Sequence, residues 1–128
     1  MFAKPEIMTI ASSLSAHAAA RQALTAENVA NADTPGYRAK DIADFAALYR
    51  ASGSFGMAHT RPGHLGGDAA GEGMARIVLS GRNMSPNGNS VSLEAEMVKS
   101  AAAQSEHDLA LTVYGKSLDI LRASLGRR

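Results

Sequence analysis

The residues able to do chemistry are few and scattered. The four histidines are His17, His59, His64 and His107. His59 and His64 stand five apart in a Gly/Pro-containing stretch with Asp68 nearby, so a metal site can be imagined there. No helical i, i+4 pairing and no familiar ligand spacing supports it. Loop histidine is the plainer reading for both, and edge-of-core packing the plainer one for His17 and His107. Asp41 and Asp44 are three apart, but no second carboxylate pair faces them. Gly66-Gly67-Asp68 reads as a turn, because no strand–helix context makes it a phosphate cradle. No nucleophile elbow, P-loop or H-E-x-x-H is present. The chain has no cysteine, which removes disulfides, thiolate zinc and a cysteine nucleophile. The expectation is therefore a protein that is not an enzyme and holds no cofactor and no metal.

The elements that would position such residues are mostly helical. Residues 5–31 read as a helix, with Pro5 and Glu6 suited to a first turn. Ile7, Ile10, Ala11, Leu14, Ala18 and Leu24 recur at three- and four-residue steps, with Arg21 and Asn28 on or near the same stripe. Thr34 precedes Pro35, which ends the helix, and Pro35-Gly36 fits the centre of a type II turn. A short helix or extended piece is expected over Ile42–Tyr49. Residues 51–90 hold nine of the twelve glycines, and only Ile77, Val78 and Leu79 there look like a strand. From Ser92, a helix cap, Leu93, Met97, Ala101, Gln104, Leu111, Tyr114, Leu118, Leu121 and Leu125 follow heptad-like spacing. Gly126 marks the stop. A helix over 92–125 spans about 51 Å at 1.5 Å per residue. That exceeds a compact globule of this size, roughly 30 Å across.

Composition explains why that helix needs company. Of 128 residues, 25 are Ala, while Leu, Ile, Val and Phe together number 24. The chain is Ala-rich helix that must find apolar partners, and 13 basic against 12 acidic residues make no charged tail. No apolar run approaches the ~18 residues of a membrane span. Charge is dispersed, so no nucleic-acid footprint is expected. The start of the chain, with Lys4-Pro5-Glu6, does not read as a cleavable secretory signal. The fold expected is mainly α: long N- and C-terminal helices packing as coiled coil, with a Gly-rich middle that has room for a short β-hairpin. The boundaries are 1–34, 35–91 and 92–128. A discrete dimeric helical adaptor or export chaperone is the competing reading.

One run adds to this. Asn28-Val29-Ala30-Asn31-Ala32-Asp33-Thr34-Pro35-Gly36-Tyr37 resembles the N-terminal signature of flagellar rod and hook proteins, N-x-A-N-x-x-T-P-G-aromatic. Arg38-Ala39-Lys40-Asp41-Ile42 with Phe45 is similar to its continuation in proximal-rod members. Thr60–Leu65 resembles their T-x-P-x-H-hydrophobic stretch, and Gly88–Met97 their G-N-x-V-[DS]-L-x-x-E-M entry to the C-terminal helix. The resemblance implies a structural subunit of the flagellar basal-body rod. Its terminal helices would pack as coiled coils in the inner layer of a helical assembly crossing the periplasm and transmitting torque. The implied partners are copies of itself, other rod proteins, and membrane-ring and export-gate proteins at the rod base. Export would be unfolded, through the flagellar type III channel, without signal cleavage.

The residues expected to matter fall into three sets. Asn28, Asn31, Thr34, Pro35, Gly36 and Tyr37 form the family motif and turn. Ile7, Ile10, Leu14, Leu24, Met97, Leu111, Tyr114, Leu118, Leu121 and Leu125 serve helix packing or subunit contact. Phe45 and Tyr49 resemble an F-x-x-x-hydrophobic element that export gates recognise, though packing on one helical face accounts for them equally.

Overall fold

A computed structural model describes residues 5–52, 77–79 and 85–126. The order is α1 (Glu6–Ala30), β1 (Lys40–Ile42), α2 (Phe45–Ser52), β2 (Ile77–Leu79) and α3 (Leu93–Ser124). The expected mainly helical architecture is present, with its two long helices packed together and a small sheet between them in sequence. α1 and α3 run antiparallel. Asn28 meets Glu96 at one end, Gln22 meets Gln104 further along, and Ala11 and Ser15 share a cleft with Ala110 and Tyr114 beyond them.

Each helix begins and ends for local reasons. Pro5 stands just outside α1, and its carbonyl accepts from Met8 and Thr9. Ser92 caps α3 through its hydroxyl, which accepts from the Ala95 N–H at 3.5 Å. Glu94 and Glu96 lie in the first turn, next to the positive end of the helix dipole. Gly126 follows the last turn at φ 69°. β1 and β2 pair antiparallel, Lys40 with Leu79 and Ile42 with Ile77. The strand partner of Ile77–Leu79 is thus the segment just after the Pro-Gly turn.

The seam between the long helices combines alanines with buried polar residues. On α3 the buried positions are Glu96, Ala103, Ala110 and Ser117, each seven after the last. On α1 they include Met8, Ala11, His17, Ala18, Thr25 and Asn28. A strict seven-residue repeat is the coiled-coil period, and alanine on both sides lets the backbones approach closely. Met97, Leu111, Leu121 and Leu125 remain exposed, as does Ile7. Tyr114, Leu118, Ile10, Leu14 and Leu24 are half-buried. The leucine-rich stripe read from the sequence is therefore not the seam within the chain. The seam lies one residue earlier on α3, a turn of about 100° around the helix. The physical reason is on α1. Its inner face carries His17, Arg21 and Asn28, and a leucine stripe facing them would leave polar groups buried without partners.

The expected turn is formed. Gly36 has φ 73°, and the Tyr37 N–H donates to the Thr34 carbonyl at 3.3 Å. A Cβ built on Gly36 would meet nothing within 4 Å. Replacement therefore costs only the strain of a left-handed backbone, about 1–2 kcal/mol for an ordinary L residue. Gly36→Asn is expected to melt within a few degrees of wild type. Gly36→Val should melt clearly lower, because β-branched residues tolerate positive φ worst. Thermal circular dichroism of the two variants checks this.

Candidate functional site

Asn28 is wholly buried and joins three elements. Its Oδ1 accepts from the Lys40 N–H at 3.0 Å, and its Nδ2 donates to the Lys40 carbonyl at 2.7 Å. The same Nδ2 donates to Glu96 Oε2 at 2.9 Å. The Tyr37 hydroxyl lies 3.3 Å from Asn28 Oδ1 and 3.3 Å from Glu27 Oε1. Lys40 closes an ion pair with Glu27, which holds the Glu27 carboxyl below its ordinary range. One motif residue thus fixes β1 to α1, and α1 to α3.

The end of α1 is closed by Asn89, which lies within the Gly88–Met97 stretch that leads into α3. Its Nδ2 lies 3.0, 2.7 and 2.9 Å from the carbonyls of Asn31, Ala32 and Thr34. Its Oδ1 accepts from the Val91 N–H at 2.7 Å. The Asn31 and Thr34 carbonyls also accept from the Thr34 and Tyr37 N–H groups, so Asn89 adds a second donor there and supplies one to the Ala32 carbonyl at the helix end. Asn31 turns back instead, donating from Nδ2 to the Glu27 carbonyl at 2.8 Å, and the Thr34 hydroxyl reaches Asn31 Oδ1 at 3.3 Å. The Gly36 N–H donates to the Asn87 carbonyl and the Ser90 N–H to the Tyr37 carbonyl, both at 3.1 Å. Gly88, at φ 77°, faces Gly36, and a Cβ on it would lie 3.5 Å from the Gly36 Cα. The two family motifs are therefore one junction in space. The available signal was a polar, wholly amide side chain directly after a glycine in the entry to α3.

From this junction an ionic chain continues along the seam. Glu96, 2% exposed, accepts from Lys99 Nζ at 2.9 Å. Lys99 also reaches Asp41 Oδ2 at 3.0 Å, and Asp41 Oδ1 lies 3.4 Å from Arg21 Nε. Arg21 Nη1 is 3.6 Å from Glu106 Oε1. Burial alone would push the Asp41 carboxyl up. Lys99, the Ile42 N–H and the Arg21 charge outweigh it and hold the group below the ordinary carboxylate range. Burial likewise opposes the charge on Lys99, but Glu96 and Asp41 raise its affinity for the proton.

Beside this chain His17 is 3% exposed, and its Nε2–H donates to the Ala43 carbonyl at 2.9 Å. Its ring stands 5.5 Å from Phe45, which stacks on Tyr49 at 5.9 Å. Phe45 and Tyr49 therefore belong to an aromatic column that docks α2 on α1. Among the described residues no group of three His, Cys, Asp or Glu side chains could hold a metal ion. His59, His64 and Asp68 lie outside the described residues. A cleft of about 210 Å³ opens between the helices, lined by Ala11, Ser12, Ser15, Ala110, Leu111 and Tyr114. It offers no charged group and no acid–base pair. No helix among the described residues is long and apolar enough to cross a membrane.

The ionic chain gives a pH dependence with a definite sign. Asp41 has a lower pKa folded than unfolded, so its contribution is complete above about pH 4 and disappears as pH falls below that. Lys99 is the converse case, contributing fully below about pH 10 and failing above it. The melting temperature should therefore drop between about pH 5 and pH 3. Asp41→Asn should melt lower at neutral pH and show a shallower drop, as measured by circular dichroism.

The arrangement supports joining and not chemistry, and comparison with known proteins agrees. Residues 8–38 match the family model described as flagella basal body rod protein. Over 93 residues the chain is 41% identical to the flagellar basal body rod protein FlgB of Agrobacterium fabrum, covering 70% of this chain and 69% of that one. It is 31% identical over 109 residues to FlgB of Salmonella typhimurium, with 78% of each chain covered. It is 33% identical over 108 residues to FlgB of Cereibacter sphaeroides, with 82% of each covered. The segment matched by the family model contains most of α1 and the Pro-Gly turn, the N-terminal half of the junction. The chain belongs to the FlgB family of flagellar basal body rod proteins, structural components of the rod and not enzymes.

Proposed function

We propose that this rod component sits in the proximal rod, linking the membrane ring and export gate to the subunits above and carrying torque between them. The observation that supports it most is the distribution of large side chains. The seam within the chain takes Ala and polar residues, while Met97, Val98, Leu109, Leu111, Ile120 and Leu121 of α3, and Leu125 just after it, are exposed. A lone protein has little reason to expose so many large apolar residues on one helix. An assembly of helices does, because each neighbour covers another's stripe.

The two exposed helical faces differ. That of α1 is mostly small residues, such as Ala16, Ala19, Ala23 and Ala26, while that of α3 is large. Unlike faces favour head-to-tail contacts, which extend a helical array where a dimer would close. On this reading residues 1–34 and 92–128 form the inner coiled-coil layer in the periplasm, and 35–91 connect them. Ile7, Met97, Leu111, Leu121 and Leu125 meet neighbouring copies and other rod proteins, with half-buried Ile10, Leu14, Leu24, Tyr114 and Leu118 at the edge of the same contacts. The motif residues Asn28, Asn31, Thr34, Pro35, Gly36 and Tyr37 set the angle at which the chain leaves that layer. Export occurs through the type III channel without signal cleavage. Recognition by the gate through Phe45 and Tyr49 would act on the chain before Phe45 packs against His17.

Met97→Asp and Leu111→Asp test the assembly face. Both sites are more than half exposed, at 67% and 53%, so the isolated variants should melt within about 0.5 kcal/mol of wild type. In the cell they should abolish swimming, and electron microscopy of purified basal bodies should show membrane rings without rods. Complete rods in both variants would mean that this face meets nothing in the assembly.

A further inference from the structure

We infer that Glu96, with the polar groups gathered around it, selects the partner, direction and register of α3. The choice concerns the helix pair of this chain alone and stands apart from the position in the rod proposed above.

The seam cannot make that choice by shape. Ala103 and Ala110 on α3, and Ala11 and Ala18 on α1, repeat at seven residues. The buried α3 positions beyond Glu96 are all small, so sliding α3 by a heptad still puts a small residue at each of them and meets no large side chain that would forbid it. Pairing α1 with α1, or α3 with α3, would also bring small residues together. Large interlocking side chains normally remove such degeneracy, and here they face outward.

The polar groups remove it instead. Glu96 is buried with both carboxylate oxygens occupied, one by Asn28 and one by Lys99. Asn28 is itself held by both backbone groups of Lys40, so its free N–H points to one place only. Lys99 must also find Asp41 on β1, and Arg21 must lie between Asp41 and Glu106. Slipping α3 by a heptad in one direction sets Ala103 against Asn28 and Ala110 against Arg21. In the other direction Glu96 reaches Arg21, but Asn28 loses Glu96 and Lys99, which keeps Glu96 within its own helix, loses Asp41. Like pairings of helices do no better, since α1 contributes no buried carboxylate to an Asn28 facing it. A buried polar group at one heptad position is a known means of fixing register at some cost in stability.

The chain lacks cysteine, so register can be read by introduced pairs. Gln22 and Gln104 touch at 3.2 Å on the exposed edge of the seam. Gln22→Cys/Gln104→Cys reports the native register, and Ser15→Cys/Gln104→Cys reports a slip of one heptad. Gln104→Cys alone reports pairing of α3 with another copy. Each is oxidised in the full-length chain at micromolar concentration, with and without Glu96→Leu. Glu96→Leu leaves Asn28 its two bonds to Lys40 and leaves Lys99 its bond to Asp41. With Glu96 present, the native intrachain disulfide should dominate. With Glu96→Leu, helicity by circular dichroism should persist. The ratio of native to slipped plus intermolecular disulfide should fall by about tenfold, as expected for losing one buried charge-assisted bond. An unchanged ratio would overturn the inference. So would loss of helicity in Glu96→Leu, which would make Glu96 a requirement of folding and not a selector.

Discussion

Asn28 makes the geometry of the rest of the chain possible. A buried amide has two N–H donors and a carbonyl acceptor, and each left unpaired costs roughly 1–3 kcal/mol. Asn28 places them on the backbone of β1 and on the carboxylate of Glu96. That single set of bonds determines where the chain returns after the Pro-Gly turn and where α3 begins beside α1. Asn89 completes the junction from the other side, bonding to the carbonyls of Asn31, Ala32 and Thr34 where α1 ends and turns. Removing either side chain would leave backbone polar groups buried without partners.

Close packing on alanine has a consequence for the surface. Each buried alanine contributes little apolar area, at about 25 cal/mol per Å², so the seam relies also on its polar chain. The large side chains that a self-sufficient core would bury are left outside. A subunit of this kind holds a defined helix pair and leaves large apolar side chains of α3 exposed for neighbours. This division suits a rod, in which stiffness arises between subunits.

Much of this was legible in the sequence. The long helices, Ser92 as a cap, the Pro35-Gly36 turn with Gly36 at positive φ and the strand at Ile77–Leu79 all follow from local rules, and the structure has them. The motif Asn28–Tyr37 pointed to the rod family that the comparisons show. The face of α3 turned toward α1 was not legible. Periodicity locates an apolar stripe but does not say whether its partner lies in the same chain. Two stripes one residue apart, 96–103–110–117 and 97–104–111–118, share the same period. The choice between them depends on Arg21, Asn28 and Asp41, which become neighbours only in three dimensions. Asn89 was missed for the same reason, since its three acceptors lie more than fifty residues earlier in the chain.

A density map of the assembled rod, from the bacterium that carries this chain and at side-chain resolution, tests the central claim most directly. The account predicts that α1 and α3 pair antiparallel on Ala11, Ala18, Ala103 and Ala110, with Asn28 bonded to Glu96. Met97, Leu111 and Leu121 should be buried against neighbouring subunits. A rod in which the alanine seam is opened and the leucine-rich face of α3 turns onto α1 of the same chain would contradict it.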